Sequence, residues 1–465
     1  MFIHYFLFLC YNGSSYGGGF MKICVLNGSP KGKYSVTLQT IHYLGKAFPK
    51  HEFDIFNIGQ AIKMYEKNMD DVRLAMENSD LIIFVYPVYT FIAPSQVHRF
   101  IELIKEHNID LSNKFVTQIT TSKHFYDTTA HKYIIDNCHD LKMKVIKGLS
   151  LDMEDLLNKE GQQTTINFFK HLCYSVENNL YEPMINYEVK EFSYTPSIEY
   201  KEKSSEYKAV IVADLLEDDI TLKNMIEDFK SSFKYEVDVV NIRTYPFMGG
   251  CLGCFNCAGD GKCIYKDKFD EFLRDNIQKY DSIIIAFTIK DHSMGSRFKM
   301  YDDRQFCNGH RTVTEGMPFG YIINGDYHNE HNLKQIVEAR AEVGHNYLAG
   351  VGYDKESIIL TADKLAYAIE NKYVLPRNFY GVGGMKIFRD LIWIMRGIMK
   401  ADHKFYKKHG VYDFPQKQRG RMILMCFLGS LVRNKKIKAK MGNKMNEGML
   451  MPYEKVLKKV KPIEE

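Results

Sequence analysis

Twice along this chain, short apolar runs alternate with stretches of helical periodicity, and that rhythm constrains the fold more than any other feature. From Met21 the runs are MKICVL, EFDIFNI, DLIIFVY, KFVTQIT and MKVIKGLSL. A continuous apolar run of this length predicts a strand covered on both faces. Between the runs, Val36, Leu38, Ile41, Leu44 and Phe48 recur at near-helical spacing, residues 70–77 predict a short helix, and PSQVHRFIELIKE predicts a longer one. Strands joined through helices are parallel and cross over right-handed, so residues 21–185 predict a doubly wound α/β domain.

The rhythm stops at YEPMINYEVKEFSYTPSIEYKEKSSEYK, which is polar and carries Pro183 and Pro196. Residues 186–205 are therefore expected to be a linker. The rhythm then restarts. KAVIVADL, EVDVVNI, DSIIIAFTI and PFGYIING predict strands, and TLKNMIEDFKSSF, FDEFLRDNIQKY and MGSRFKMYDDR predict helices. The architecture is duplicated at a period of about 190 residues, too long for a solenoid, and a second domain is expected over residues 206–372. At 465 residues the chain is long enough for both to have proper cores.

Residues 373–465 differ in kind. They hold 21 Lys and Arg against seven Asp and Glu, a net of +14, which leaves −9 for the rest of a chain whose total is +5. KIFRDLIWIMRGIMK places Phe388, Leu391, Ile392, Met395, Ile398 and Met399 along one helical side. RMILMCFLGSLV is apolar and too short to cross a bilayer. A basic helical cap on the α/β body is the first expectation, and peripheral contact with anionic lipid is the alternative. No nucleic-acid-binding motif accompanies the charge, so nucleic acid is not expected as a partner.

Residues 1–20, MFIHYFLFLCYNGSSYGGGF, lack a basic flank and a cleavage site. Gly17–Gly19 just upstream of Met21 suit a ribosome-binding sequence read in frame, so a mis-assigned leader is expected, with a weak membrane-surface anchor as the alternative. Ten cysteines, four of them within Cys251–Cys263, favour a reducing cytoplasm and a local metal or redox site.

What the first domain holds is suggested by NGSPKGKYSVT, which leaves the opening strand for a helix. Backbone N–H groups and the helix dipole favour an anion there. Gly28 permits close approach, Ser29, Ser35 and Thr37 offer hydroxyls, and Lys31 and Lys33 add charge, so a phosphate monoester is expected. No Gly-Lys-Ser/Thr ends the loop, and the three-glycine dinucleotide pattern is absent. The third strand runs into YPVYTFIAPSQVHRFIELI, with Pro87, Tyr89 and Phe91 at the carboxyl edge of the sheet, where ligands of open α/β sheets bind. A flat aromatic ring with a phosphorylated tail satisfies both loops.

These two motifs resemble those of the flavodoxin-like NAD(P)H-dependent FMN reductases, with Gly-Ser-Pro-Lys, Ser-x-Thr and a Pro-x-Tyr loop before a helix. The resemblance implies two tandem flavodoxin-like domains with five-stranded parallel sheets, FMN as cofactor and NAD(P)H as co-substrate. It implies that Ser29, Lys31, Ser35 and Thr37, with Val36 beside them, hold the FMN phosphate. Pro87, Val88, Tyr89 and Thr90 would border the ring, and Thr121, Ser122 and His124 would supply a third loop. No catalytic acid or base is implied, because the cofactor carries the chemistry, and His124 and His131 around Asp127 are expected to be ordinary polar loop and helix residues. The second domain lacks the anion site: VADLLEDDITLKN has Asp214, Glu217, Asp218 and Asp219 where the hydroxyls should be, so no second FMN is expected. It keeps the family's Lys-x-x-x-Asp-Arg helix as Lys299, Asp303 and Arg304. Its GGCLGCFNCAGDGKC resembles the cysteine motif of iron–sulfur flavoproteins. Cys251, Cys254, Cys257 and Cys263 would then ligate a [4Fe–4S] cluster, with redox-active thiols and zinc as alternatives. Family members dimerise with the flavin near the partner, so a pseudo-dimer within the chain, or a homodimer, is expected. A flavodoxin-type electron carrier and a non-catalytic binding protein remain the competing functions.

Overall fold

A computed structural model describes residues 19–186, 192–196, 200–432 and 457. The expected leader lies almost wholly outside the described residues, as do residues 187–191 and 197–199 of the expected linker, whose last two residues, 204 and 205, belong to the next strand. The chain divides into two units, residues 1–405 and 406–465.

The first unit contains both expected sheets. In the first, β1 (Lys22–Asn27), β2 (Glu52–Phe56), β3 (Leu81–Pro87), β4 (Phe115–Ser122) and β5 (Lys144–Val145) are ordered 2-1-3-4-5, and every pair is parallel. That is the doubly wound order of flavodoxin-like folds. The predicted fifth strand is split. β5 pairs with Phe115 and Val116, and β6 (Leu149–Asp152) takes over the same edge from Ile119 to Ser122. Gly148 forms the break; a Cβ there would sit 2.4 Å from Gln118 Cγ.

The second sheet contains β7 (Ser204–Ala213), β8 (Tyr235–Asn241), β9 (Ser282–Thr288), β10 (Phe319–Asn324) and β11 (Leu348–Gly352), ordered 8-7-9-10-11 and again all parallel. The order repeats that of the first sheet. β11, LAGVG, is the one strand whose run is not singled out by its apolarity. Its glycines are set by packing, since a Cβ on Gly350 would meet Thr361 Oγ1 at 2.4 Å.

Side chains alternate across each sheet as the pleat requires. Ile23, Val25, Ile83 and Val85 face an outer core with Leu38, Ile41 and Phe169. Cys24, Leu26, Ile82 and Phe84 face inward to one continuous core that includes Val210, Val212, Ile283 and Ile285 of the second sheet. The two domains thus share an interior.

At its centre the Ser95–Glu106 helix packs on the Gly295–Arg304 helix. The pairing is reciprocal. Ser95 N donates to Asp303 Oδ2 at 2.8 Å, and Ser296 N and Oγ donate to Glu102 Oε1 and Oε2, each at 2.7 Å. Each helix start is satisfied by a carboxylate from the other helix's far end, so the two run antiparallel. Carboxylates favour such ends through the helix dipole. The duplication period is not uniform. Ser95 and Ser296 lie 201 residues apart, as do Leu81 and Ser282, whereas the ends of β1 and β7 lie 186 apart. The difference arises between the second and third strands of each sheet: 24 residues separate β2 from β3, and 40 separate β8 from β9. The extra length is the cysteine segment.

The Phe379–Ile394 helix also belongs to the first unit, with its Phe388 ring 5.2 Å from Phe125 and 4.3 Å from His310. The second unit contains the Arg419–Val432 helix.

Candidate functional site

The turn after β1 is built by close approach. A Cβ on Gly28 would lie 2.2 Å from Val97 Cγ2, and one on Gly59 would lie 2.2 Å from Gly28 O. Only glycine fits either position. Asn27, buried at the strand end, holds the turn: its Nδ2 donates to Gly32 O at 3.0 Å and Asn57 Oδ1 at 2.8 Å, and its Oδ1 accepts from Ser29 N at 3.2 Å. Nothing in the sequence analysis singled out Asn27, although it opens the motif. One 3-10 turn, Gly32–Tyr34, follows, and Ser35 caps the Val36–Ala47 helix by accepting from Leu38 N at 3.3 Å.

Ser29, Ser35 and Thr37 are buried. Ser29 Oγ accepts from Lys31 N and Ser35 Oγ from Leu38 N, which leaves each hydroxyl its own hydrogen to donate. Thr37 Oγ1 pairs with Thr121 Oγ1 at 2.6 Å, so the first and third loops meet. No carboxylate lies between Asn27 and Thr37. This donor set at a helix start suits a phosphate.

Pro87, Val88, Tyr89 and Thr90 leave β3 next to Thr121, which pairs with Pro87 across the sheet. Tyr89 and Ile92 exchange backbone hydrogen bonds around Thr90 (φ 47°) and Phe91 (φ 73°). A β-branched residue at positive φ is strained and needs support. Phe91 is not part of the open edge: it is buried against Phe125 and Tyr126.

Support for this loop comes from the second domain. Lys299 Nζ donates to Tyr89 O at 2.9 Å and pairs with Asp303, which accepts from Thr90 Oγ1 at 3.2 Å. Lys299 and Asp303 are fully buried. Arg304 makes a two-pronged pair with Asp267 at 2.7 and 2.9 Å. The sequence carried these residues as a family motif, but gave no sign that they hold the other domain's loop.

His124 (φ 55°) turns to Asp127, with 2.9 Å between Nδ1 and Oδ2, and Asp127 also accepts from Ser150 Oγ. Ser122 Oγ accepts from His124 N. His131 lies inside against Thr120 Oγ1 at 2.8 Å, and burial pushes its imidazole down to about 4. Both histidines are therefore structural partners of the third loop.

The cysteine segment lies across this same edge. A Cβ on Gly253 (φ +60°) would be 1.8 Å from Tyr89 Oη and 3.4 Å from Lys31 Cε. Lys31 Nζ sits 5.2 Å over the Phe255 ring, and Gln96 Nε2 donates to Cys251 O at 3.4 Å. Tyr89 also meets Phe306 edge-on, with 6.0 Å between ring centres. Phe255 and Phe306 went unmarked in the sequence, since only folding brings them to the first domain.

The four thiols do not form the expected ligand set. Among the described residues, no three His, Cys, Asp or Glu side chains are gathered to hold a metal. Cys254 is exposed, and Cys257 Sγ donates to Phe306 O at 3.1 Å. Burial pushes the Cys251 thiol up to about 12 and that of Cys257 to about 11, so both stay protonated at neutral pH. The described residues thus show no gathered ligand set for a [4Fe–4S] cluster.

At the equivalent place in the second domain, Asp219 caps the Ile220–Ser232 helix, accepting from Leu222 N at 3.0 Å. Its carboxylate also accepts from Thr288 Oγ1 and, at 3.4 Å, from Asn324 Nδ2, at the ends of β9 and β10. A protein carboxylate occupies the position where an anion would bind. Asp214 beside it is held by Arg243 at 2.6 Å.

The turn after β1 and the loop after β3 both lie in a segment that sequence comparison places. Residues 21–154 match the family of NADPH-dependent FMN reductases. The matched segment covers β1 to β6 and all three loops. An iron-sulfur flavoprotein of Archaeoglobus fulgidus is 26% identical over 189 residues, 38% of this chain and 85% of the relative. An iron-sulfur flavoprotein of Clostridioides difficile is 30% identical over 83 residues, 18% of this chain and 34% of the relative. Similar solved structures include an FMN-dependent NADH-azoreductase of Bacillus anthracis in complex with FMN (TM-score 0.27, 12% identity, 33% of this chain and 98% of that one). Another is an NAD(P)H:quinone oxidoreductase of Methanothermobacter marburgensis (TM-score 0.27, 9% identity, 34% and 97%).

Proposed function

We propose that the chain is an FMN-dependent oxidoreductase that takes a hydride from NAD(P)H and passes electrons to a small-molecule or protein acceptor. The observation that carries this reading is the carboxylate-free hydroxyl turn Ser29–Thr37 beside the Pro87–Thr90 loop, inside the segment that matches the FMN reductases. Ser29, Ser35 and Thr37 donate to the phosphate, Val36 opens the helix behind it, and Lys31 adds charge. Pro87, Val88, Tyr89 and Thr90 border the ring, with Thr121, Ser122 and His124 closing the third side. Bound FMN supplies the two-electron chemistry. The protein's part is to bind, align and exclude water, and no side chain is assigned as acid or base. Lys299 and Asp303 are positioning residues that keep the ring loop in its strained turn.

The two domains supply each other's helix cover and share a core, which supports an internal pseudo-dimer with one flavin per chain. The segment around Cys251 packs against Tyr89 and Lys31 beside the ring loop. The names of the two relatives favour a [4Fe–4S] cluster on Cys251, Cys254, Cys257 and Cys263 as a second reading; it requires the segment to bring all four thiols onto the metal.

The test is anaerobic purification with flavin and iron counts, followed by NADH and NADPH oxidation with a quinone acceptor. One FMN per chain with turnover is expected. Full flavin loading without turnover favours an electron carrier, and a folded chain that binds no FMN overturns the reading. Iron at four per chain would establish the cluster.

A further inference from the structure

The Arg419–Val432 helix presents an unusual surface. Met422, Ile423, Leu424, Met425, Phe427 and Leu428 are 42–65% exposed, and Cys426 between them is exposed as well. Seven consecutive apolar residues at about 100° per residue make almost two turns, so the helix is apolar on every side rather than along one stripe. Contiguous exposed apolar surface marks a site of protein or membrane contact. A protein groove covers one face of a helix and would leave the other face of this one in water. Lipid acyl chains surround it.

The flanks agree. Between residues 414 and 446 there are nine Lys and Arg and no Asp or Glu. Arg419 and Arg421 precede the apolar run, and Arg433, Lys435, Lys436, Lys438, Lys440 and Lys444 follow it. Such clusters are drawn to anionic leaflets over about one Debye length. A second copy of this segment would bring like charge against like charge, which disfavours self-pairing. At ~1.5 Å per residue, 14 residues reach ~21 Å, short of the ~30 Å hydrocarbon layer. No helix among the described residues is long and apolar enough to cross a membrane.

We propose that the Arg419–Val432 helix is a lipid-docking element. It inserts Met422–Leu428 beneath the headgroups of an anionic bilayer without crossing, drawn there by the basic character of the sequence on both sides of the apolar run. The proposal is independent of the flavin reading.

The test uses the full chain and co-sedimentation with phosphatidylcholine vesicles, with and without phosphatidylglycerol at about a third of the lipid. Binding to the anionic vesicles is expected, with a loss of about tenfold or more in ~0.5 M salt as the charges are screened. The double variant Ile423→Asp, Phe427→Asp and the triple variant Lys435→Gln, Lys436→Gln, Lys438→Gln should each weaken binding by about tenfold or more. The triple variant changes charge alone and keeps the test alive if the aspartates prevent folding. The proposal is overturned by failure of the wild type to bind anionic vesicles. It is equally overturned by equal binding to neutral ones, or by binding that the variants leave unchanged. A wild-type dimer in light scattering that the double variant dissolves, without vesicle binding, would make a second copy the occupant and also overturn it.

Discussion

The two sheets leave their first strands in opposite ways. After β1, the chain turns through Gly28, Ser29 and Ser35 with no carboxylate, and its hydroxyls keep hydrogens to donate. After β7, the chain turns through Asp214 and Asp219, and the Asp219 carboxylate takes the hydrogen bonds of the helix start and of two strand ends. The topology is shared and the electrostatics are inverted. One copy sets hydroxyl donors at its helix start, and the other sets its own carboxylate there. What both copies keep is the helix after the third strand and the turn before it. Lys290–Ser293 repeats the Tyr89–Ile92 turn, with Asp291 and His292 at positive φ as Thr90 and Phe91 are. A duplicated domain can thus lose its site and retain the surface that completes its neighbour's.

The sharpest way to break this comparison is to remove the hydroxyls of the first turn. The triple variant Ser29→Ala, Ser35→Ala, Thr37→Ala should weaken FMN binding at least about a thousandfold, ~4 kcal/mol, since bonds to a charged phosphate are the strong kind. Fluorescence titration reads it directly.

Next in size is the contact through which the second domain supports the first. Lys299→Met would leave Asp303 buried without its cation and should cost about 3 kcal/mol in chemical denaturation. It should also lower FMN affinity in the protein that remains folded, because Tyr89 O loses its donor. If stability falls with flavin affinity intact, the loop does not depend on the second domain.

The turn in the second domain docks through His292, which lies between Asp140 and Glu330 at 3.1 and 3.0 Å. Burial opposes its charge, but the two carboxylates prevail and hold it up at about 9. A raised folded-state value means that its contribution is complete below an ordinary histidine's ~6.5 and is lost as pH rises through about 9. The stability gap between wild type and His292→Gln, ~2 kcal/mol at pH 6, should close across that window. A gap that is flat with pH would show that His292 is not charged between the domains.

The smallest effect should come from Asp219→Ala, which removes a helix cap for about 1 kcal/mol. It should not create a second flavin site, because Asp214, Glu217 and Asp218 remain and no hydroxyl set replaces the carboxylate. Gain of a second FMN would mean that Asp219 alone blocks the site.

Much of this was legible in the chain. Nine apolar runs such as DLIIFVY account for ten of the eleven strands, because strands covered on both faces need no alternation. β5 and β6 share one run, MKVIKGLSL, and its break at Gly148 is imposed by Gln118 on the neighbouring strand. LAGVG was missed because packing against Thr361 and Ile358 allows no side chain at its glycines. Local motifs also marked the hydroxyl turn after β1, where we propose that the phosphate binds. Contacts across the duplication were beyond reach: that Lys299 meets the Tyr89 carbonyl, or that Gly253 meets the Tyr89 hydroxyl, depends on how two domains dock. The cysteine spacing permits the sulfurs to converge without enforcing it, and no metal-holding group is gathered among the described residues.

The central claim is that one anion turn is built to bind and its copy is not. Flavin counted per chain after reconstitution with excess FMN tests this most directly, in the wild type and in the Ser29, Ser35, Thr37 alanine variant. The account predicts one flavin per chain in the first and none retained in the second. Two flavins in the wild type, or one surviving in the variant, would contradict it.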